Sequence, residues 1–329
     1  MGRTKARLSD SKVDELLSAC QTGEQMIQRQ WRHMKLQGFP AAGKSHFALQ
    51  FWAHEAMKGK PEEALLTIID FDCEGQGELV ARDEIVPPEL RGRIMRKVVR
   101  NVEEVDLYVQ AFIRAHARHA QEYPDSTARA MLFENEGAFY LSVRDFYSLQ
   151  VHGMSEGDLM MARQQEAIST DKKTLPTFKE GQMHAYKVIN RKFSDPFQKC
   201  KVAGEAIGFH FMTTVLMKNQ TKGYGTAQEE LVVVADGRPS ITDPLFDWIL
   251  EFDQQQKRAG NDILTRHAVI VRKTRSCRPF RMVNPTQEEF WDKVSAPPAP
   301  PEKKPKQEKK AKAEEAPPAN EEAEVKADA

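Results

Sequence analysis

Eight consecutive residues restrict this chain more than any other stretch. Gly38, Phe39, Pro40, Ala41, Ala42, Gly43, Lys44 and Ser45 satisfy G-x-x-x-x-G-K-[ST] at every fixed position. The flanks meet the context test for that pattern. "WRHMKLQ" before it reads as a strand, and "KSHFALQFWAHEAMKG" after it reads as a helix closed by Gly59. Two glycines let the backbone curl until successive N–H groups point at phosphate oxygens, and the helix N-terminus adds its positive dipole end. The whole run from Gly38 through His46 is therefore the expected cofactor-binding loop. In it, Lys44 would reach the β- and γ-phosphates and Ser45 would ligate Mg2+ through its hydroxyl. The plain alternative is a glycine-rich turn that starts a helix.

A magnesium nucleotide site also needs strand-end carboxylates, one to hold the metal and one to polarise an attacking water. Two stretches offer them. In "TIIDFDCEGQGEL", Asp70, Asp72 and Glu74 share one side for as long as the strand stays extended. In "ARAMLFENEGAFY", the apolar run ends in Glu134, followed by Asn135 and Glu136. Strand-end acids facing only water would look the same in sequence.

Around this loop, apolar runs of strand length alternate with amphipathic runs of helix length, which predicts an α/β fold with a mostly parallel sheet covered on both faces. "ALLTIIDFD", "RIMRKVV" and "ARAMLFEN" read as strands, and "VEEVDLYVQAFIRAHARHA" as a helix. A long, mostly helical region follows to about Ala206, and "GFHFMTTVLMKNQ", "ELVVVADG", "PLFDWILEFDQ" and "RHAVIVRKTR" supply four late strand-like runs. The expected organisation is an N-terminal helical segment over 1–30, with a short helix at Ser9 to Ala19, and one domain over 31–294. Residues 295–329 contain almost only Pro, Ala, Lys and Glu, a composition that cannot bury enough surface to offset its ordering entropy. Forty-eight basic residues balance 48 acidic ones, so any nucleic-acid contact must come from a local patch. Four scattered cysteines without a CxxC pair argue against a zinc site and suit a reducing compartment. No apolar run approaches the roughly 20 residues of a membrane span, and "MGRTKARLSDSK" lacks a signal's apolar segment, so the expected location is cytoplasmic.

In the order of these elements the chain resembles RecA-like P-loop ATPases, in particular the small ones of phages and archaeal viruses. The resemblance spans about Trp31 to Pro285 and rests on the phosphate loop, "IIDFDCEG", "AMLFEN" and "VLMKNQ", then "LVVVADG" and "VIVRKTRSCRPFRMV" as a closing β region. It implies an ATPase with ATP and Mg2+ as cofactors and DNA, single-stranded favoured, as partner. Asp72 or Glu74 would activate the hydrolytic water, and Glu134 would replace the usual metal-coordinating aspartate, one methylene longer. Gln220, or else Lys218 or Asn219, would sense the γ-phosphate. Lys273 and Arg275, two apart on a strand and so on one face, would reach a neighbouring subunit's nucleotide, which implies a homo-oligomer, ring or filament. Lys222 and Tyr224, flanked by Gly223 and Gly225, would give a loop with a phosphate-seeking charge and a stacking ring for DNA.

The basic cluster Arg91, Arg93, Arg96, Lys97 and Arg100 fits an edge strand without any ligand. His116 and His119 read as surface residues. The expected function is ATP hydrolysis in recombination, strand annealing or replication of a viral or mobile genome. Alternatives that share the pocket are a DNA-packaging or translocating motor, a P-loop kinase, and a non-hydrolysing switch.

Overall fold

The computed structural model describes residues 31–71, 76–169, 181–222, 230–259, 262–274 and 279–295. The chain divides after Ala296, and every described residue lies in the first part. The expected helix at Ser9 to Ala19 and the tail over 295–329 lie outside the described residues, Ser295 excepted.

Strand β1 (His33–Gly38) runs into helix α1 (Lys44–Lys58), whose C-cap is Gly59. Then come β2 (Leu65–Asp70), β3 (Ile94–Val98), α2 (Val102–Glu122) and β4 (Arg129–Glu134). Helices α3 (Glu136–His152), α4 (Glu156–Ser169) and α5 (Gly181–Ala203) fill the long middle region. The remainder is β5 (His210–Lys222), β6 (Glu230–Ala235), β7 (Trp248–Ala259), β8 (Asp262–Lys273), β9 (Arg281–Val283) and α6 (Gln287–Ser295). The strands form one sheet in the order β3-β2-β4-β5-β1-β7-β8-β9, with β6 paired to the far half of β5. The six from β3 to β7 are parallel to their neighbours; β6, β8 and β9 are antiparallel additions.

The sequence dictates this layering. All six residues of β2 (LLTIID) and of β4 (RAMLFE) are buried, as expected for strands covered on both faces. Alternate residues serve opposite layers. Leu36, Leu66, Ile68, Leu132, Met212 and Leu250 pack with α1 and α6 through Phe51, Trp52 and Phe290. Ile69, Met131, Phe133 and Phe211 pack with α2, α3 and α5 through Phe112, Phe139, Phe193 and Phe197. Burying each such side chain contributes about 1.5–3 kcal/mol.

Two sequence expectations need correction. "PLFDWILEFDQ" is a strand only from Trp248; Asp243–Leu245 is a single helical turn, and Pro244 has no N–H to give a ladder. His116 is buried, not on the surface. It continues the inward stripe Val102, Val105, Val109, Phe112, bonds Thr67 Oγ1 at 3.0 Å and stacks on Phe209 at 4.6 Å. His119 is half-buried beside Tyr123. No described helix is long and apolar enough to cross a membrane.

Candidate functional site: a glycine-rich loop facing a strand-end carboxylate

The loop between β1 and α1 has the backbone its glycines predict. Gly43 takes φ +95° as the residue before the helix, in the left-handed region where a side chain is strained. Gly38 answers a different need. A Cβ there would stand 2.6 Å from the Phe252 carbonyl oxygen on β7, so only glycine lets β1 end flush against its neighbour. Ala41 is also left-handed, at φ +59°, and Ala42 N donates to Phe39 O at 3.2 Å. Lys44 is buried and folds over the loop, its Nζ donating to Gly38 O at 3.2 Å and Phe39 O at 2.9 Å.

Two strands away, β4 delivers the acid. Ser45 Oγ donates to Glu134 Oε1 at 2.6 Å. Glu134 Oε2 is buried and has no hydrogen-bond partner among the described residues. Burial drives the Glu134 carboxyl up to about 7, against the hydrogen bonds from Ser45 and Thr214; the nearby Asp70 charge pushes the same way as burial, and Lys44 pulls back. Asn135, at φ +63°, turns the chain out of β4, caps α3 through Ala138 N at 3.0 Å and donates its own N–H to Thr214 Oγ1 at 2.9 Å. The carboxylate is thus fixed by its strand, by the left-handed turn behind it and by a threonine from β5.

Asp70 on β2 is the register partner of Glu134 and is fully buried. Its Oδ2 accepts from Arg96 Nε at 2.8 Å and also from Nη2 of the same guanidinium. One member of the basic cluster on edge strand β3 is therefore committed to an interior acid. A second buried network lies behind the loop strand. Lys35 Nζ, with no exposure, donates to Glu136 Oε1 at 3.2 Å, Thr242 Oγ1 at 2.9 Å and Asp243 Oδ1 at 2.7 Å. It ties β1 to the start of α3, two residues past Glu134.

Ser45 and Glu134 are hard oxygen ligands, the class that suits Mg2+. No group of three or more His, Cys, Asp or Glu at metal spacing occurs among the described residues. A cation here would take two protein oxygens and complete its shell with water and phosphate, the usual habit of Mg2+. The orphaned, buried Oε2 of Glu134 fits that role.

The structure brings together the loop from Gly38 to His46, Ser45, Glu134 and Asp70. Asp72 and Glu74 lie outside the described residues, as do Tyr224 and Arg275. Lys222 is the last residue of β5, and its side chain is not among those described. Gln220 is not at the loop: it is exposed and pairs with Val232. It stands four residues past Leu216, the partner of Gly38, or about 13 Å along the strand. Lys218 pairs with Asp236 at 2.7 Å. The β5 residue at the carboxylate is instead Thr214, which sequence reading did not single out; its position five residues into an apolar strand resembles any core threonine. The β8 register sets Lys273 opposite Ile249, which in turn lies beside Lys35, at the end of β1 away from the Gly38–Ser45 loop. Cys200 is a buried thiol, and the other three cysteines lie outside the described residues.

No protein-family model matches the chain, and no curated protein does so.

Proposed function

We propose that this chain binds and hydrolyses ATP with Mg2+ as a RecA-like P-loop protein acting on DNA, in recombination, strand annealing or replication of a viral or mobile genome. The observation that carries the reading is the 2.6 Å bond between Ser45 Oγ and Glu134 Oε1, across the mouth of a Gly38–Ser45 loop with left-handed turns at Ala41 and Gly43. A serine after the loop lysine and a strand-end carboxylate are the two protein ligands a magnesium triphosphate requires. A glycine-rich turn that merely began a helix would have no reason to face a buried, half-satisfied acid.

In this reading the loop N–H groups hold the phosphates, and Lys44 exchanges its two loop carbonyls for β- and γ-phosphate oxygens. Ser45 and Glu134 hold the Mg2+, which when bound neutralises charge on those oxygens. Asp70 stays tied to Arg96, leaving Asp72 or Glu74 as the residue that orients water. Lys273 and Arg275 would act on a neighbour's nucleotide in a homo-oligomer, and Lys222 and Tyr224 would meet DNA.

Phosphate release, measured without polymer, with single-stranded DNA and with duplex DNA, tests the reading. Lys44→Ala should lower the rate on the order of a hundredfold or more, through loss of a charge-assisted contact to the transferring phosphate. Stimulation by single strands supports recombination or annealing, and stimulation by duplex alone turns the reading toward a motor. Absence of any affinity for magnesium-ATP refutes it.

A further inference from the structure

The far side of the phosphate loop carries a residue with no role in the site described so far. His267 on β8 is exposed, and its Nδ1 lies 3.8 Å from where a Cβ on Gly43 would stand. Its backbone is clamped at both ends. His267 N donates to Asn284 Oδ1 at 2.7 Å, and Asn284 N donates to His267 O at 2.7 Å, with Asn284 itself in the left-handed region at φ +44°. The register places His267 opposite Gln254, two residues past Phe252, which pairs with Gly38. That sets it at the height of the loop. Beside it, His46 Nε2 is buried with no hydrogen-bond partner among the described residues, whose charged or titratable members near His46 are His267, Arg82 and Glu84.

The sheet order gives these residues a direction. Glu134 and Asp70 stand on β4 and β2, to one side of β1; His267 stands on β8, to the other. Ser45 and Lys44 turn the metal and γ-phosphate end toward β4. A triphosphate laid across the loop with that polarity must point its nucleoside end toward β7 and β8.

We infer that His267, together with His46, forms the nucleoside-side wall of the site and contacts the sugar of a bound nucleotide. The inference rests on the nucleotide reading above and adds to it a residue and a subsite. A phosphate chain held by the loop has no sugar to offer this wall; a nucleotide does. His267 is therefore a positioning and selectivity residue, separate from the hydrolytic end.

Titration calorimetry with magnesium present separates the possibilities, using ATP, ADP and inorganic tripolyphosphate against wild type, His267→Ala and His267→Gln. Losing a hydrogen bond to the sugar should weaken ATP and ADP about fivefold in His267→Ala, with tripolyphosphate changed by less than about twofold. His267→Gln, which keeps a donor, should recover part of the loss. Circular dichroism melts of both variants should match wild type, since the side chain is exposed. An unchanged ATP affinity in His267→Ala overturns the inference. So does an equal loss for tripolyphosphate, which would mean that His267 only shapes the loop. Wild type that binds neither ATP nor tripolyphosphate removes the nucleotide reading as well, whereas tight wild-type binding of both with no discrimination removes this inference alone.

Discussion

Glu134 offers a test of the site that requires no nucleotide. In water its carboxyl would titrate near 4.5, while in the folded protein burial raises it to about 7. The folded state therefore holds this proton more tightly than the unfolded chain does. Stability from that preference is fully present below pH 4.5 and is lost as pH rises through 7, because deprotonation then leaves a buried, half-satisfied charge. Every tenfold gain in proton affinity is equivalent to about 1.36 kcal/mol, so the full effect is about 3 kcal/mol. Glu134→Gln keeps the volume and an oxygen to accept from Ser45 Oγ, but it cannot ionise.

The assay is urea or thermal unfolding of wild type and Glu134→Gln in chelator, from pH 4.5 to 8.5. Wild type alone would mislead, because burial holds His116 and His210 down at about 3. Those two work in the opposite sense: their stabilisation is present above pH 6.5 and disappears as pH falls toward 3. Subtracting the variant cancels them. The difference in favour of Glu134→Gln should be small at pH 4.5, grow by about 1.36 kcal/mol per pH unit and level off above pH 7 near 3 kcal/mol, several degrees in melting temperature. Two curves that stay parallel across this range would refute the claim that Glu134 sits buried against Ser45 with its second oxygen unmet.

Other perturbations report on the surroundings. Lys35→Met strands the buried Glu136 carboxylate and should cost about 3–5 kcal/mol in urea unfolding, with Lys35→Met/Glu136→Gln recovering much of it; equal losses in the single and double variants would contradict the ion pair. Gly38→Ala drives a methyl into the Phe252 carbonyl oxygen and should lower stability by about 1–3 kcal/mol, measured the same way, together with any magnesium-ATP affinity. Magnesium ions added alone should raise the wild-type melting temperature more at pH 8 than at pH 5.5, since the carboxylate must be ionised to bind them; Glu134→Gln should show little response at either pH.

Much of this was legible in the chain because local rules and tertiary structure agree there. The β1–loop–α1 unit follows from its glycines and from the apolar runs around it, and β2 and β4 follow from six-residue stretches with no surface to spare. Legibility failed where a residue's meaning depends on a distant partner. Lys35 in "HMKLQ" resembles a solvated lysine until Glu136, Thr242 and Asp243, each 101 to 208 residues away, close around it. Arg96 resembles edge-strand charge until Asp70 receives it. His116 is the instructive exception, since its signal was local: the spacing 102, 105, 109, 112, 116 runs three, four, three, four, and the polar residue type masked it.

Register explains the remaining difference, at Gln220. In sequence, the strand "TVLMKNQ" ends in polar residues, so its last one looks like the tip that faces a phosphate. In the fold, β5 does not stop where β1 does: its first half pairs with β4 and β1, and from Met217 onward it pairs with β6, carrying Lys218, Asn219 and Gln220 out along a two-stranded extension. A strand's functional tip is the point where its neighbours end, and that point cannot be read from the strand alone. By that criterion the position on β5 level with the carboxylate is Thr214, whose hydroxyl accepts the Asn135 N–H. Where β1 ends at Gly38 and β4 ends at Glu134, β5 is still inside the sheet, so its contribution to the site is a side chain taken from mid-strand.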